Sequence, residues 1–336
     1  MITVKGESAS RLWVEGVRAV LQHGLPCEPR GLSTLEVVGA HLVLTQPRRR
    51  LVHMPPSRVL NAAFAAAETV WILSGSDDAW IYTYNRRLTE FTDDDVLRGA
   101  YGPRLRTWAG TIDQLDQVRR QLLTDPSSRR AVIQLWDPAR DHLGHRDVPC
   151  TLGYWFALRS GRLDMHTMMR SQDLWLGFCY DLYAATVLHE LMAGWVGAQL
   201  GAYHHHVGSL HLYAEHLPAA SALAASKVST LVHPPFTGGD GVMTPLTLPW
   251  QDLDTVLHAV LEGRPCGHPG WAETAAVMCS YRLYKSGDQS GGRDLARRTQ
   301  GPLPTALTSW YDHLDQSTRP DSASTPTSTG TKGTTT

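Results

Sequence analysis

The sequence has no excess of either charge and no segment suited to spanning a membrane. Of its 336 residues, 31 are Lys or Arg and 32 are Asp or Glu. This balance gives no reason to expect a nucleic-acid or membrane-surface partner, so an anionic ligand requires a local basic cluster. No uninterrupted apolar run approaches the about 20 residues that cross a bilayer. The opening residues, MITVKGESAS, lack the charged start and apolar block of a secretion signal.

Cysteines are few, odd in number and widely spaced. The five lie at positions 27, 150, 179, 266 and 279, and no CxxC pair occurs. This spacing argues against a disulfide framework and a thiolate zinc site. The three histidines at 204–206 do not suggest a metal either, because neighbours in a strand point to opposite faces. We therefore expect a cytoplasmic protein without a bound metal.

Apolar residues recur with both helical and strand periodicity. Residues 56–75 and 181–200 predict apolar helices, and residues 34–44 and 202–213 predict strands. Residues 151–170 divide at a Ser-Gly pair into two alternating runs, which predicts a hairpin. Because helices and strands alternate irregularly, we predict the α+β class, with a mixed sheet and a long buried helix.

The organisation of the chain predicts one domain and a tail. No change in composition divides residues 1–315, whereas residues 316–336 are mostly Ser, Thr, Pro, Gly and charged residues. Such a tail is predicted to be disordered. Within the domain, DQSGGRD at 288–294 predicts a flexible loop, and residues 50–53 and 129–137 predict further strands.

A cysteine and four arginines are candidates for chemistry. Cys150 follows a proline at the start of an apolar strand, where a cysteine is usually a small core residue. A nucleophilic cysteine would need cationic neighbours that favour the thiolate. Arg30, Arg129, Arg130 and Arg170 lie near Gly, Ser or Thr. They are either solvated charges or, if clustered, a site for a dianionic phosphate.

Two acids and an aromatic pair leave alternatives open. Glu68 interrupts an apolar helix, so it either faces solvent or lines a pocket where its pKa is raised and it moves protons. Asp181 opens the next apolar helix, where it is either a cap or a ligand contact. His211 and Tyr213 share one strand face, either as a packed pair or as ligands for a sugar hydroxyl.

The order of these elements resembles the thymidylate synthase family. The matching motifs are DPSSRR (125–130), PC (149–150), RSxDxxLG (170–177) and HLYxxH (211–216). Each motif is weak alone, but their order is specific, and the resemblance runs from about residue 20 to about residue 220. It implies a thymidylate synthase-like fold and a homodimer that packs sheet to sheet and shares its active sites. It also implies 5,10-methylenetetrahydrofolate as cosubstrate.

The resemblance also implies a role for each candidate residue. Cys150 would add to C6 of a pyrimidine nucleotide, the folate would deliver a one-carbon unit to C5, and Glu68 would organise protons and water. Arg129 and Arg130 would reach the phosphate of the partner subunit. The implied nucleotide-binding residues are Arg30, Arg129, Arg130, Arg170, Ser171, Asp181, His211 and Tyr213. The implied folate-binding residues are Asp173 and Gly177.

Departures from the family pattern indicate a different base and product. The synthases have Asn where this chain has Asp181. A carboxylate accepts from the C4 amine of cytosine and favours a protonated N3, but it repels O4 of uracil. An ungapped count places Glu90 where the family has a Trp that shields the one-carbon intermediate from water. The synthases' closing C-terminal strand also has no counterpart here.

We therefore expect a (d)CMP 5-hydroxymethyltransferase that uses water to give 5-hydroxymethyl-(d)CMP and tetrahydrofolate. The alternatives are a thymidylate synthase acting on dUMP and a non-catalytic nucleotide-binding homologue.

Overall fold

A mixed seven-stranded sheet forms the centre of the molecule. The computed structural model describes residues 1–226 and 241–318. Six strands follow the order β1-β3-β7-β6-β5-β4, and β2 pairs with β3. The pairs β1–β3 and β6–β7 are parallel, and the others are antiparallel. The strands are β1 (Ile2–Gly6), β2 (Leu25–Cys27), β3 (Thr34–Leu44), β4 (Val132–Gln134), β5 (Thr151–Arg159), β6 (Arg162–Asp173) and β7 (Gln199–Tyr213).

Helices cover one face of this sheet. The first seven are α1 (Ala9–His23), α2 (Ala62–Leu73), α3 (Tyr101–Arg106), α4 (Gln114–Thr124), α5 (Pro138–Asp141), α6 (Phe178–Trp195) and α7 (Leu217–Ala225). Four follow: α8 (Leu253–Glu262), α9 (Pro269–Lys285), α10 (Gln289–Arg298) and α11 (Pro302–Thr318). α6 packs on β6 and β7 and also contacts α2. Among these described helices, none has the length and apolar character needed to cross a membrane. The predicted α+β class is confirmed.

The long helix α6 is buried on most sides because it lies between the sheet and other helices. Fourteen of its 18 residues are buried: thirteen lie between Phe178 and Ala193, and the last is Trp195. One charged residue among them, Glu190, pairs with the fully buried Arg50 and accepts a hydrogen bond from the Leu246 backbone N–H. A buried carboxylate needs such partners. Residues 50–53 are not in the predicted strand, and the Arg50 side chain lies in the core against Glu190.

The two faces of β7 differ in what they contact. Tyr203 and His205 are buried beneath the helices, whereas His204 and His206 lie on the opposite face and are partly exposed. There a ring nitrogen of His41 lies 3.1 Å from one of His204, and a ring nitrogen of His166 lies 3.0 Å from one of His206. The rings of each pair are stacked. Within the described residues, no three His, Cys, Asp or Glu side chains form a group that could hold a metal ion.

The prediction of a flexible loop at 288–294 is wrong. This segment begins α10, because Asp288 accepts a hydrogen bond from the Gly291 N–H at 2.9 Å and caps the helix. Gly292 allows α10 to pack closely on α9, since a Cβ there would lie 2.7 Å from the Ser280 carbonyl oxygen. The Gly-Gly pair predicted flexibility from composition, whereas Gly292 permits close helix packing.

Other boundaries shift by a few residues. The helix predicted at 56–75 begins at Ala62, where the Asn61 side chain accepts a hydrogen bond from the Phe64 N–H at 3.1 Å. The strand predicted at 129–137 is limited to β4. α11 continues to Thr318, past the predicted domain end at 315. The remaining tail, 319–336, lies outside the described residues.

Candidate active site

Glu68 and Asp181 form an acidic pair between α2 and α6. Burial first, and then the nearby Asp181 charge, together raise the pKa of Glu68 to about 8. Burial also raises the pKa of Asp181, to about 6, although a hydrogen bond from Gln172 opposes this shift. The side chains of both residues are mostly surrounded by protein but remain partly accessible to solvent. Two acids with separated pKa values can hold different protonation states at neutral pH, with Glu68 as the acid and Asp181 as the carboxylate.

Asp181 does not cap α6. The N-cap position belongs to Gly177, and no side chain caps this helix end. Instead, Asp181 Oδ2 accepts a hydrogen bond of 2.8 Å from Gln172 Nε2 on β6. Of the two alternatives that the sequence left open, the structure therefore favours a carboxylate directed at the site interior.

Arg170 holds the segment that carries Cys150. Its Nε donates to the Pro149 carbonyl and its Nη2 to the Val148 carbonyl, both at 2.9 Å. Its backbone N–H also donates to the Cys150 carbonyl at 2.9 Å. These three bonds fix Cys150 at the start of β5. The sequence suggested a phosphate role for Arg170 but gave no sign of this clamp.

The Cys150 thiol is not activated by its surroundings alone. Burial raises its pKa, Arg170 lowers it, the carboxylates of Asp181 and Asp147 raise it, and Arg30 lowers it. We expected arginines to favour the thiolate, and two of them act in that direction, but burial outweighs them. Cys150 is therefore a thiol at neutral pH, and a nucleophilic role would require a base to remove its proton.

The carboxyl ends of β6 and β7 bring further candidates together. Because these strands are parallel, Ser171 pairs with Ser209, and Asp173 pairs with His211. Asp173 Oδ1 accepts from the backbone N–H groups of Trp175, at 2.8 Å, and Leu176, at 3.1 Å. It thereby orders the turn into α6. The His211 and Tyr213 rings meet edge to face at 5.2 Å.

The arginines lie at different distances from this centre. Arg30 is exposed and adopts φ 57°, a left-handed conformation that is uncommon outside glycine. It is close enough to lower the pKa of Cys150. Arg129 and Arg130 are exposed in the single chain. Glu90 is also exposed, in the short 3-10 helix Arg86–Phe91.

Comparison with known proteins decides the family. The thymidylate synthase family model matches residues 11–233. The chain belongs to the thymidylate synthase family. The deoxyuridylate hydroxymethyltransferase of Bacillus phage SP01 is 34% identical over 227 residues, covering 63% of this chain and 59% of the relative. That of Pseudomonas phage M6 is 31% identical over 225 residues, covering 62% and 64%. A putative thymidylate synthase of Methanosarcina barkeri (strain Fusaro / DSM 804) is 27% identical over 212 residues, covering 62% and 88%.

The chain thus spans less than two thirds of the length of the two phage relatives. The resemblance read from the motif order is confirmed.

Within this thymidylate synthase-like site lie two tyrosines to which the sequence assigned no role. Tyr101 OH accepts a hydrogen bond from the Thr151 N–H at 3.2 Å, next to Cys150. Tyr154, on β5, is buried and has a raised pKa, first from burial and then from the charges of Asp181 and Glu68. Tyr101 opens a Tyr-Gly pair at 101–102 that also matches the motif order of the family, although the sequence assigned it no role. Tyr154 lies in an apolar strand that gives no such signal.

Proposed function

We propose that this thymidylate synthase family member is a folate-dependent (d)CMP 5-hydroxymethyltransferase. Its substrates would be a cytidine monophosphate, 5,10-methylenetetrahydrofolate and water, and its products 5-hydroxymethyl-(d)CMP and tetrahydrofolate. The observation that supports this proposal most directly is Asp181, whose Oδ2 is already occupied by the Gln172 donor. Its other oxygen is then an acceptor suited to the C4 amine of cytosine.

The residues of the site suit each step. Cys150 adds to C6 of the base, which makes C5 nucleophilic. C5 forms a bond to the methylene carbon of the folate, and loss of the C5 proton with elimination of tetrahydrofolate then leaves an exocyclic methylene on C5. Water attacks the resulting exocyclic methylene, and elimination of Cys150 restores the aromatic base. Glu68, with a pKa of about 8, is protonated at neutral pH and suits proton delivery and water ordering. No hydride is transferred, so tetrahydrofolate is released without oxidation.

Other residues would bind the ligands. Arg30, Arg170 and Ser171 would bind the 5′-phosphate, and His211 and Tyr213 the 3′-hydroxyl. Asp173 uses Oδ1 for the turn into α6, which leaves Oδ2 for the pterin. Gly177 lacks a side chain at the same turn and would let the folate approach.

A second candidate is hydroxymethylation of dUMP. Two relatives are named deoxyuridylate hydroxymethyltransferases. A protonated Asp181 could accept from N3–H of uracil and donate to O4, and its pKa of about 6 lies close to neutral. The base assignment therefore depends on the ionised state of Asp181.

Product analysis tests the proposal. The purified protein is incubated with methylenetetrahydrofolate and, separately, CMP, dCMP or dUMP, and the nucleotides are analysed by mass spectrometry. We expect the mass of one added CH₂O on a cytidine nucleotide and no dihydrofolate absorbance. The same product on dUMP alone would establish the second candidate. A methyl product with dihydrofolate would indicate a thymidylate synthase, and nucleotide binding without product a non-catalytic homologue.

We also propose a homodimer in which each phosphate site is completed by arginines from the other subunit. Arg129 and Arg130 are exposed in the single chain. By contrast, the buried Arg50 and Arg104 are each paired with an acid of the same chain. The partly exposed sheet face that carries His204 and His206 would form the interface.

Hybrid dimers test the shared site. Cys150→Ala and Arg130→Ala proteins should each be inactive, whereas a mixture should recover part of the activity because one of its two sites is intact. Turnover is measured after mixing, with subunit exchange followed by native mass spectrometry of a mass-tagged variant. The separate variants are the controls. Demonstrated exchange without any recovered activity would argue against the shared site.

The proposed compartment is the cytoplasm. All five cysteines are free thiols in this structure, which suits a reducing environment.

A further inference from the structure

A continuous series of hydrogen-bonding groups connects the interior of the sheet to Asp181. The Tyr203 hydroxyl lies 2.9 Å from Thr167 Oγ1 and 2.8 Å from His205 Nδ1. His205 Nε2 lies 2.9 Å from Gln172 Oε1, and Gln172 Nε2 lies 2.8 Å from Asp181 Oδ2. We call Thr167, Tyr203, His205 and Gln172 the relay. All four relay residues are buried.

The hydrogen-bonding capacity of each group gives the relay a direction. Burial lowers the pKa of His205 to about 3, so its ring is neutral and carries one N–H. If that hydrogen is on Nε2, it donates to Gln172 Oε1, and Nδ1 accepts from the Tyr203 hydroxyl. The Gln172 amide then presents its NH₂ group to Asp181. The Tyr203 hydroxyl also has Thr167 Oγ1 within hydrogen-bond distance, at 2.9 Å.

The opposite direction of the relay requires a different protonation state of Asp181. With the hydrogen on Nδ1, Nε2 would accept from the Gln172 NH₂ group, and Gln172 Oε1 would face Asp181 Oδ2. Two oxygens at hydrogen-bond distance need a hydrogen between them, so Asp181 would have to be protonated on Oδ2. The direction of the relay and the protonation of Asp181 are therefore linked.

We propose that Gln172, oriented by His205 and Tyr203, is a positioning residue that holds Asp181 Oδ2 as a hydrogen-bond acceptor and thereby sets the site's preference for cytosine over uracil. This inference rests on the proposed function for the placement of the base against Asp181. It deepens that proposal, because it assigns the choice of base to a residue that does not touch the base.

The local backbone accommodates this contact. A Cβ at Gly177 would lie 3.1 Å from Gln172 Nε2 and 3.4 Å from Asp181 Oδ2. Contacts at 3.1 Å are tighter than most, so a side chain at Gly177 would displace the amide. Asp181 Oδ1 accepts no hydrogen bond from residues 1–226 or 241–318, which leaves it for a ligand.

Several charged or titratable groups lie near Asp181, and the charge of one of them, Asp173, raises the pKa of Asp181. They are Glu68 on α2, Tyr101 on α3, Cys150 before β5, Tyr154 on β5, Asp173 on β6, Cys179 on α6 and Tyr203 on β7. Among the causes of its own pKa, only Gln172 favours the carboxylate. Loss of the Gln172 donor should therefore make Asp181 easier to protonate.

Gln172→Leu tests the relay because it removes the amide and retains a similar volume. Binding of dCMP and dUMP is measured by titration calorimetry between pH 5 and 8, independently of turnover. We expect the ratio of dCMP to dUMP affinity at neutral pH to fall at least about fivefold, as expected for loss of a hydrogen bond to a charged group. Affinity for dUMP should rise as the pH falls and Asp181 becomes protonated, and this rise should occur at a higher pH in Gln172→Leu than in the wild type. Tyr203→Phe, which keeps Gln172 but frees its orientation, should give a smaller shift in the same direction.

Thr186→Val is the matched control. The Thr186 hydroxyl is buried on α6 and donates only to α6 carbonyls, so the variant loses a buried hydroxyl without touching the relay. Its affinity ratio should not change.

The outcomes separate the relay from the proposed function. A wild-type protein that prefers dUMP, together with a shifted ratio in Gln172→Leu, would support the relay and contradict the cytosine assignment. A cytidine preference that Gln172→Leu leaves unchanged would overturn the relay alone. An equal shift in Thr186→Val would also overturn it, because the effect would then reflect general loss of stability.

Discussion

Replacing Cys150 with alanine should abolish turnover and leave nucleotide binding largely intact. The covalent route needs a sulfur nucleophile at this position, whereas the proposed phosphate and sugar contacts come from other residues. Turnover is measured by mass spectrometry of the product, and nucleotide affinity by calorimetry. We expect no detectable product and a nucleotide affinity within about threefold of the wild type.

Cys179 provides the matched control for this prediction. It is a buried cysteine on α6 with a pKa raised by burial to about 11, so it also tests loss of a buried sulfur. Cys179→Ala should retain turnover, although its thermal stability should be lower than that of the wild type. Product formed by Cys150→Ala at a rate near that of the wild type would rule out the covalent mechanism.

Replacing Asp181 with asparagine should change the preferred base. The amide exchanges an acceptor oxygen for an NH₂ donor and removes the charge that favours a protonated cytosine N3. It also gives uracil a complementary partner, which accepts from N3–H and donates to O4. We expect kcat/KM for the cytidine nucleotide to fall at least about tenfold, or about 1.4 kcal/mol, and relative use of the uridine nucleotide to improve.

Asp288→Asn is the control for this exchange. Asp288 caps α10, and asparagine caps nearly as well, so this variant should keep both stability and base preference. The preference ratio of each variant is the amount of product formed with the cytidine nucleotide divided by the amount formed with the matching uridine nucleotide. If Asp181→Asn keeps the ratio of the wild type, the cytosine assignment is wrong.

The sequence by itself determined the local elements and the family. Strand β3 was predicted at Thr34–Leu44 with the bounds that the structure has, and the hairpin of β5 and β6 was predicted from alternation and a Ser-Gly turn. The motif order was enough to indicate the thymidylate synthase family. Such features depend on neighbours along the chain, where periodicity and turn chemistry act directly.

Tertiary structure decided the protonation of the site and the residues that control it. Gln172 occupies the variable position of RSxD, so the motif gave no sign that its amide contacts Asp181. His205 was seen only as one of three consecutive histidines, yet its burial and its contact with Gln172 join it to the site. The raised pKa of Glu68 likewise comes from surrounding protein. The physical reason is that desolvation and hydrogen-bond partners are set by residues distant in sequence, which no local pattern records.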